Sequence, residues 1–227
     1  MTDVVCVGAH PDDVEIGMGA TIARMTRMGL TVAIVDLTDG EPTPAGDPVT
    51  RRAEAASAAR RLGVAERRIL GLENRALFDS VEARTALAEE LRELRPRVLF
   101  GPYPVDAHPD HVAASRIVDA ARFWAKLTKS PMSGEPHYPS RLYRYMAVHL
   151  RLVREPSFVM DVSEDLAAKL EALSFYRSQF SAHPKNGRLI ASIESTSRMW
   201  GGTIGTHAGE PFFSDEPIGI NSLESLV

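Results

Sequence analysis

Short, almost unbroken apolar runs alternate with helix-patterned stretches through the first half of this chain, and that rhythm sets the fold. Val4–Ala9 (VVCVGA) and Thr31–Leu37 (TVAIVDL) are apolar on both faces. Such strands must be covered on both sides, as in a parallel sheet with helices above and below. Between them, Asp12–Gly29 carries apolar residues at helical spacing, with Gly29 as its stop. Val49–Leu62 and Val81–Leu94 are helical, the second ended by Pro96, and Ala107–Lys126 begins as a loop and becomes a helix. Arg68–Leu72 and Val98–Gly101 are short strands. Thr38–Pro48 (TDGEPTPAGDP) holds too many Gly, Pro and Asp residues for a regular element. The order β-α-β-α-β-α-β-α predicts an α/β fold with a mostly parallel, doubly wound sheet.

After Lys126 the rhythm changes. Ser130–Ser140 is a Pro/Gly-rich loop, Leu142–Val148 and Ser157–Val162 are strand-like, Ser163–Phe180 is a helix capped by Ser163, and Ser192–Gly202 is helical. The expectation is one domain over residues 1–227, with a core at about 3–126 and a C-terminal elaboration at about 127–227.

The 227 residues are 44% hydrophobic and 25% charged, enough to bury a core. A net charge of −4 gives no electrostatic footprint for nucleic acid and no polybasic patch for a membrane. No apolar run approaches the roughly 20 residues of a membrane span, and the N-terminus lacks the pattern of a signal peptide. Cys6 has no partner for a disulfide and lies in an apolar strand, which suits a buried packing role. A cytoplasmic location is the default expectation.

Two segments carry chemistry. Ala9-His10-Pro11-Asp12-Asp13-Val14-Glu15 follows the first strand, and Asp106-Ala107-His108-Pro109-Asp110-His111 follows the fourth. Ligands of open α/β sheets bind beyond the carboxyl ends of strands, near the point where strand order reverses. A doubly wound order can set strands one and four side by side, so residues about a hundred apart would share one cavity. That cavity would gather His10, His108 and His111 with Asp12, Asp13, Asp110 and Asp106. Crowded carboxylates repel, and a divalent cation resolves the conflict. Mixed histidine and carboxylate donors suit zinc, with ferrous iron as the other candidate. A free carboxylate as general base and a histidine as proton donor complete the parts needed to hydrolyse an amide.

AHPDDVE after an N-terminal strand and HPDH after the fourth resemble the motif pair of the PIG-L/LmbE-type zinc-dependent deacetylases. Thr38-Asp39-Gly40, Arg51-Arg52-Ala53-Glu54-Ala55 and Leu62-Gly63-Val64 extend the likeness over most of residues 3–125. The resemblance implies a Rossmann-like sheet and Zn2+ held by His10, Asp13 and His111. It implies Asp12 as general base, His108 as oxyanion support and proton donor, Asp110 as the carboxylate orienting His108, and Arg51 in the substrate pocket. It further implies a small-molecule N-acetyl sugar conjugate as substrate and a homo-oligomer as a common state.

The C-terminal stretches Ser157–Ser163, Tyr176–Phe180, Arg198–Gly202 and Gly209–Phe212 look like the bacillithiol-pathway branch, which deacetylates N-acetylglucosaminyl L-malate. Arg51, Arg198 or Lys185 would then meet the malate carboxylates. The chain departs from that branch at His207-Ala208-Gly209-Glu210, where members commonly carry Tyr-Ala-Glu. The alternative is another N-acetylglucosaminide: a chitin-like oligosaccharide, or a mycothiol-type or thiol conjugate. His137, His149, His183 and His207 lack partners at ligand spacing and are assigned to packing or surface roles. A dinucleotide-binding oxidoreductase is disfavoured, because the first strand-to-helix turn carries two carboxylates in place of a glycine-rich phosphate cradle. A non-catalytic zinc-binding protein remains as the remote rival.

Overall fold

The computed structural model describes residues 2–146, 149, 154–182 and 186–219. Seven strands form one sheet in the order β3-β2-β1-β4-β5-β7-β6. Strands β1 (Val4–Gly8), β2 (Val32–Thr38), β3 (Glu66–Leu72) and β4 (Val98–Pro102) are parallel, as the sequence predicts, and β5 (Arg141–Tyr145) joins them in the same direction. The edge is antiparallel: β7 (Gly209–Phe213) pairs with both β5 and β6 (Phe158–Asp161). The result is a Rossmann-like α/β fold.

Alternate residues of β1 feed opposite faces of the sheet. Val4 and Cys6 pack toward α1 (Asp13–Arg27), α2 (Pro48–Arg61) and α5 (Leu166–Ser174). Val5 and Val7 pack toward α3 (Val81–Leu94) and α4 (Pro109–Trp124). Each buried Val or Leu contributes about 1.5–3 kcal/mol, so this two-sided core is what holds the strand ends in place. Cys6 lies within it, and burial followed by the charge of Glu15 pushes its thiol far above the usual range.

Two expectations for the C-terminal part are corrected. Ser163–Phe180 is not one helix. It divides into α5 and a short α6 (Arg177–Phe180), with Tyr176 between them. Ser163 does not cap it: its hydroxyl donates to Asp161 and accepts the N–H groups of His207 and Ala208. β5 ends at Tyr145, and the Ala147–Val148 part of the expected strand lies outside the described residues. The last helix, α7, spans Leu189–Thr203.

α1 is broken at Met18, whose φ of −150° and ψ of 24° are not helical. The break frees the N–H groups of Ala20 and Thr21, and Glu210 of β7 receives them at 3.2 and 2.7 Å. Lys169 neutralises Glu210 at 2.6 Å, with both side chains buried. At Gly17 an added Cβ would stand 2.3 Å from the Tyr145 ring, so only glycine lets α1 approach β5 this closely. Glu210→Ala would strand a buried ammonium and two N–H groups. It is expected to cost about 3–5 kcal/mol, read as a lower urea midpoint at unchanged m-value. A loss under about 1 kcal/mol would show that the pair does not hold the helix.

Candidate active site

β1 and β4 lie side by side, and the strand order reverses between them. The turn after β1 carries His10 and Asp12, and Asp13 is the first residue of α1. His108 caps α4, accepting the Asp110 N–H on Nδ1 at 3.2 Å, with Pro109 opening the helix. Asp110 and His111 follow in its first turn. Thr38, closing β2, donates its hydroxyl to the Ala9 carbonyl at 2.9 Å and so fixes the residue before His10.

Three side chains converge. His10 Nδ1 is 3.2 Å from His111 Nε2 and 3.3 Å from Asp13 Oδ2. His111 Nε2 is 3.2 Å from Asp13 Oδ1. The outer nitrogens of both rings face carboxylates: His10 Nε2 meets Asp110 at 3.2 Å, and His111 Nδ1 meets Asp106 at 2.9 Å. An ionised carboxylate only accepts, so those outer nitrogens carry the protons and two lone pairs point inward beside a carboxylate. Ligands about 2.0–2.1 Å from a tetrahedral zinc stand about 3.3 Å apart, the spacing seen here. The donor set therefore fits a divalent cation held by His10, Asp13 and His111.

Without a cation, protons must fill this role. Burial opposes a charge on His10, but its hydrogen bonds to the Asp110 and Asp13 carboxylates outweigh burial and raise its pKa to about 9. Burial likewise opposes a charge on His111, yet Asp13 and Asp106 raise it to about 10. Burial resists ionisation of Asp13, but His111 and His10 hold its carboxyl well below the usual range. Burial raises Asp12 to about 7, with Arg51 pulling against it. His108, half-buried, is lowered first by burial and then by His10 and His111. With Nδ1 accepting from the backbone, neutral His108 keeps its proton on Nε2.

Several side chains meet partners that the motifs do not reveal. The Asp110 carboxylate braces His10, and His108 receives only its backbone N–H. Asp106 braces His111 and also accepts the His108 N–H at 3.1 Å. Arg51 is 3% exposed, with its guanidinium on the Pro11 carbonyl and on Asp12, so it is not free in an open pocket. Arg198 pairs with Glu194 and His207, and the His207 N–H is tied to Ser163 beside Arg24 and Arg27 at the far end of α1. Lys185 and His183 lie outside the described residues. Glu15 is buried in an ion pair with Arg67 and accepts the Tyr176 hydroxyl. Asp39 serves its own turn through the Glu41 N–H.

Two contributors were missed. Arg75, at φ 67°, gives its backbone N–H to Asp110 at 2.7 Å. A main-chain donor leaves no residue-type signal. The His149 ring stands 5.0 Å from that of His111 and 5.4 Å from that of His108. Its place just past β5, the neighbour of β4, was the signal available.

The profile of the PIG-L family, described as GlcNAc-PI de-N-acetylase, matches residues 5–122. A 1D-myo-inositol 2-acetamido-2-deoxy-alpha-D-glucopyranoside deacetylase of Catenulispora acidiphila is 30% identical, over 84% of this chain and 86% of its own length. A conserved protein of Thermus thermophilus is 41% identical and superimposes with a TM-score of 0.90, over 97% of each chain. An N,N'-diacetylchitobiose deacetylase of Pyrococcus horikoshii is 27% identical with a TM-score of 0.78, over 93% of this chain and 82% of that one. With the motifs, the convergent donors and these likenesses in place, the chain belongs to the PIG-L family and is a metal-dependent deacetylase.

Proposed function

We propose that the protein removes acetate from an N-acetylglucosaminyl conjugate, using zinc, or ferrous iron in its place, held by His10, Asp13 and His111. The observation that carries this reading is the meeting of His10 Nδ1 and His111 Nε2, 3.2 Å apart, with one Asp13 oxygen 3.2–3.3 Å from each, and the Asp12 carboxylate on the same turn. A cation bound there acidifies a water and polarises a carbonyl. Asp12 takes the proton of the attacking water. His108, with its proton on Nε2, donates a hydrogen bond to the developing oxyanion, and Asp12 passes the proton it took from water to the departing amine. Asp110 and Asp106 fix the ring orientation and tautomer of His10 and His111, as carboxylates behind ligating histidines do. The sheet runs without interruption from the core into the C-terminal elaboration, which supports reading residues 1–227 as one domain.

The neutral-aglycone alternative is favoured over the malate conjugate. The named relatives act on an inositol glycoside and on diacetylchitobiose, and neither substrate carries a carboxylate. Of the cations considered for malate, Arg51 is committed inside the protein and Arg198 to Glu194. The test is acetate release by metal-stripped and zinc-restored protein from N-acetylglucosaminyl inositol, diacetylchitobiose and N-acetylglucosaminyl L-malate. Zinc-restored release, fastest on a neutral conjugate, is the expected result. Fastest release from the malate conjugate would reinstate the bacillithiol-type reading. Release from none of them would remove the proposal.

A further inference from the structure

Building on the deacetylase reading, we infer that His149 contacts the substrate, its imidazole hydrogen-bonding a hydroxyl of the sugar beside the scissile amide. Its ring packs against two members of the site. The centroids lie 5.0 Å from His111, at 39°, and 5.4 Å from His108, at 36°. The His108 and His111 rings stack on each other at 4.8 Å, so the three rings form one triangle. The backbone is tied to the same place. The His149 N–H reaches the Asp106 carboxylate at 3.4 Å, and that carboxylate braces His111. The chain comes to this point from the C-terminal end of β5, the neighbour of β4, on the side where open α/β sheets take their ligands.

Exposure orders the four histidines of the site. His111 and His10 are 1% and 8% exposed, His108 is half-buried and His149 is exposed. His149 therefore stands between the metal-binding side chains and solvent. The cation does not call for it, because His10, Asp13 and His111 already supply the three protein ligands of a catalytic zinc. The protein does not use its polar atoms either: among the described residues, none hydrogen-bonds to a ring nitrogen of His149. A neutral imidazole carries one donor and one acceptor, and a hydroxyl can meet either. When the amide carbonyl reaches the cation, the sugar is the part of the substrate left on the solvent side, beside this ring.

Kinetics and binding together test this. On N-acetylglucosaminyl inositol and diacetylchitobiose, His149→Ala is expected to raise KM about tenfold, the effect of one lost hydrogen bond, with kcat within about threefold. Bound metal should stay stoichiometric. His149→Gln keeps a donor and an acceptor and should bring KM back to within about threefold of the wild-type value. His149→Phe keeps the ring contacts alone and should behave as His149→Ala does. Glucosamine titrated calorimetrically into zinc-loaded protein should bind about tenfold more weakly to His149→Ala than to wild type. Unchanged KM in His149→Ala, recovery by His149→Phe, or loss of the metal overturns the inference, since the ring would then serve the surface, the packing or the cation. Wild-type protein inactive on every conjugate would sink the deacetylase reading, and glucosamine binding would still decide on His149: equal affinity in both proteins, or none in either, overturns the inference.

Discussion

Asp13→Ala protein is expected to lose its bound cation and to turn over at least about 10³-fold more slowly, the equivalent of several kcal/mol of Lewis-acid stabilisation. Asp13 supplies the one negative charge among the three converging ligands, and its two oxygens reach both histidines. It also accepts the His10 N–H at 2.9 Å, so its removal loosens the ring it is meant to work beside. Two neutral imidazoles alone fall short of the three protein ligands that hold a catalytic zinc. Metal content after dialysis, measured by atomic absorption beside kcat, checks this, with far-ultraviolet circular dichroism as the folding control. Stoichiometric metal together with wild-type turnover would take Asp13 out of the ligand set.

Asp12→Asn separates the base from the metal. Turnover should fall by roughly 10²–10⁴, the range of acid–base catalysis, while metal content stays unchanged. Asparagine suits this position structurally, since its short polar side chain tolerates positive φ better than most. The thermal midpoint of the metal-free protein should therefore not drop. Burial outweighs Arg51 and lifts the Asp12 carboxyl from an ordinary 3.8 to about 7, so its ionisation opposes folding as pH rises above 3.8. An amide carries no such penalty. Metal loss in this variant would make Asp12 a ligand, and full activity would remove it from the chemistry.

The half of the protein that builds the site was legible because each strand there is covered on both faces and each helix has a clear start and stop. α3 was placed at Val81–Leu94 and is found there, with Ser80 capping it. The adjacency of β1 and β4 followed from the doubly wound order, and with it the meeting of His10 and His111. β7 was not legible. Gly-Glu-Pro at the start of Gly-Glu-Pro-Phe-Phe runs against strand preference, yet the segment lies between β5 and β6, with Pro211 opposite Val159 and Glu210 aimed at a broken helix. Motif matching named Asp110 and gave its carboxylate to His108, whereas it meets His10. Which imidazole a carboxylate meets depends on how the two turns pack, and the spacing of HPDH alone does not contain that.

The Glu210 clamp on α1 has a consequence in time. The carboxylate that satisfies the interior N–H groups of the helix opening with Asp13 is synthesised 189 and 190 positions after them. Domains generally fold as units during synthesis, and contacts this distant in sequence are the slow ones to form. Until β7 slots between its neighbours, the nascent chain carries a first helix with two unsatisfied donors and an ammonium, that of Lys169, waiting for its counter-charge. The helix behind the catalytic turn is thus completed only when a segment made much later reaches it.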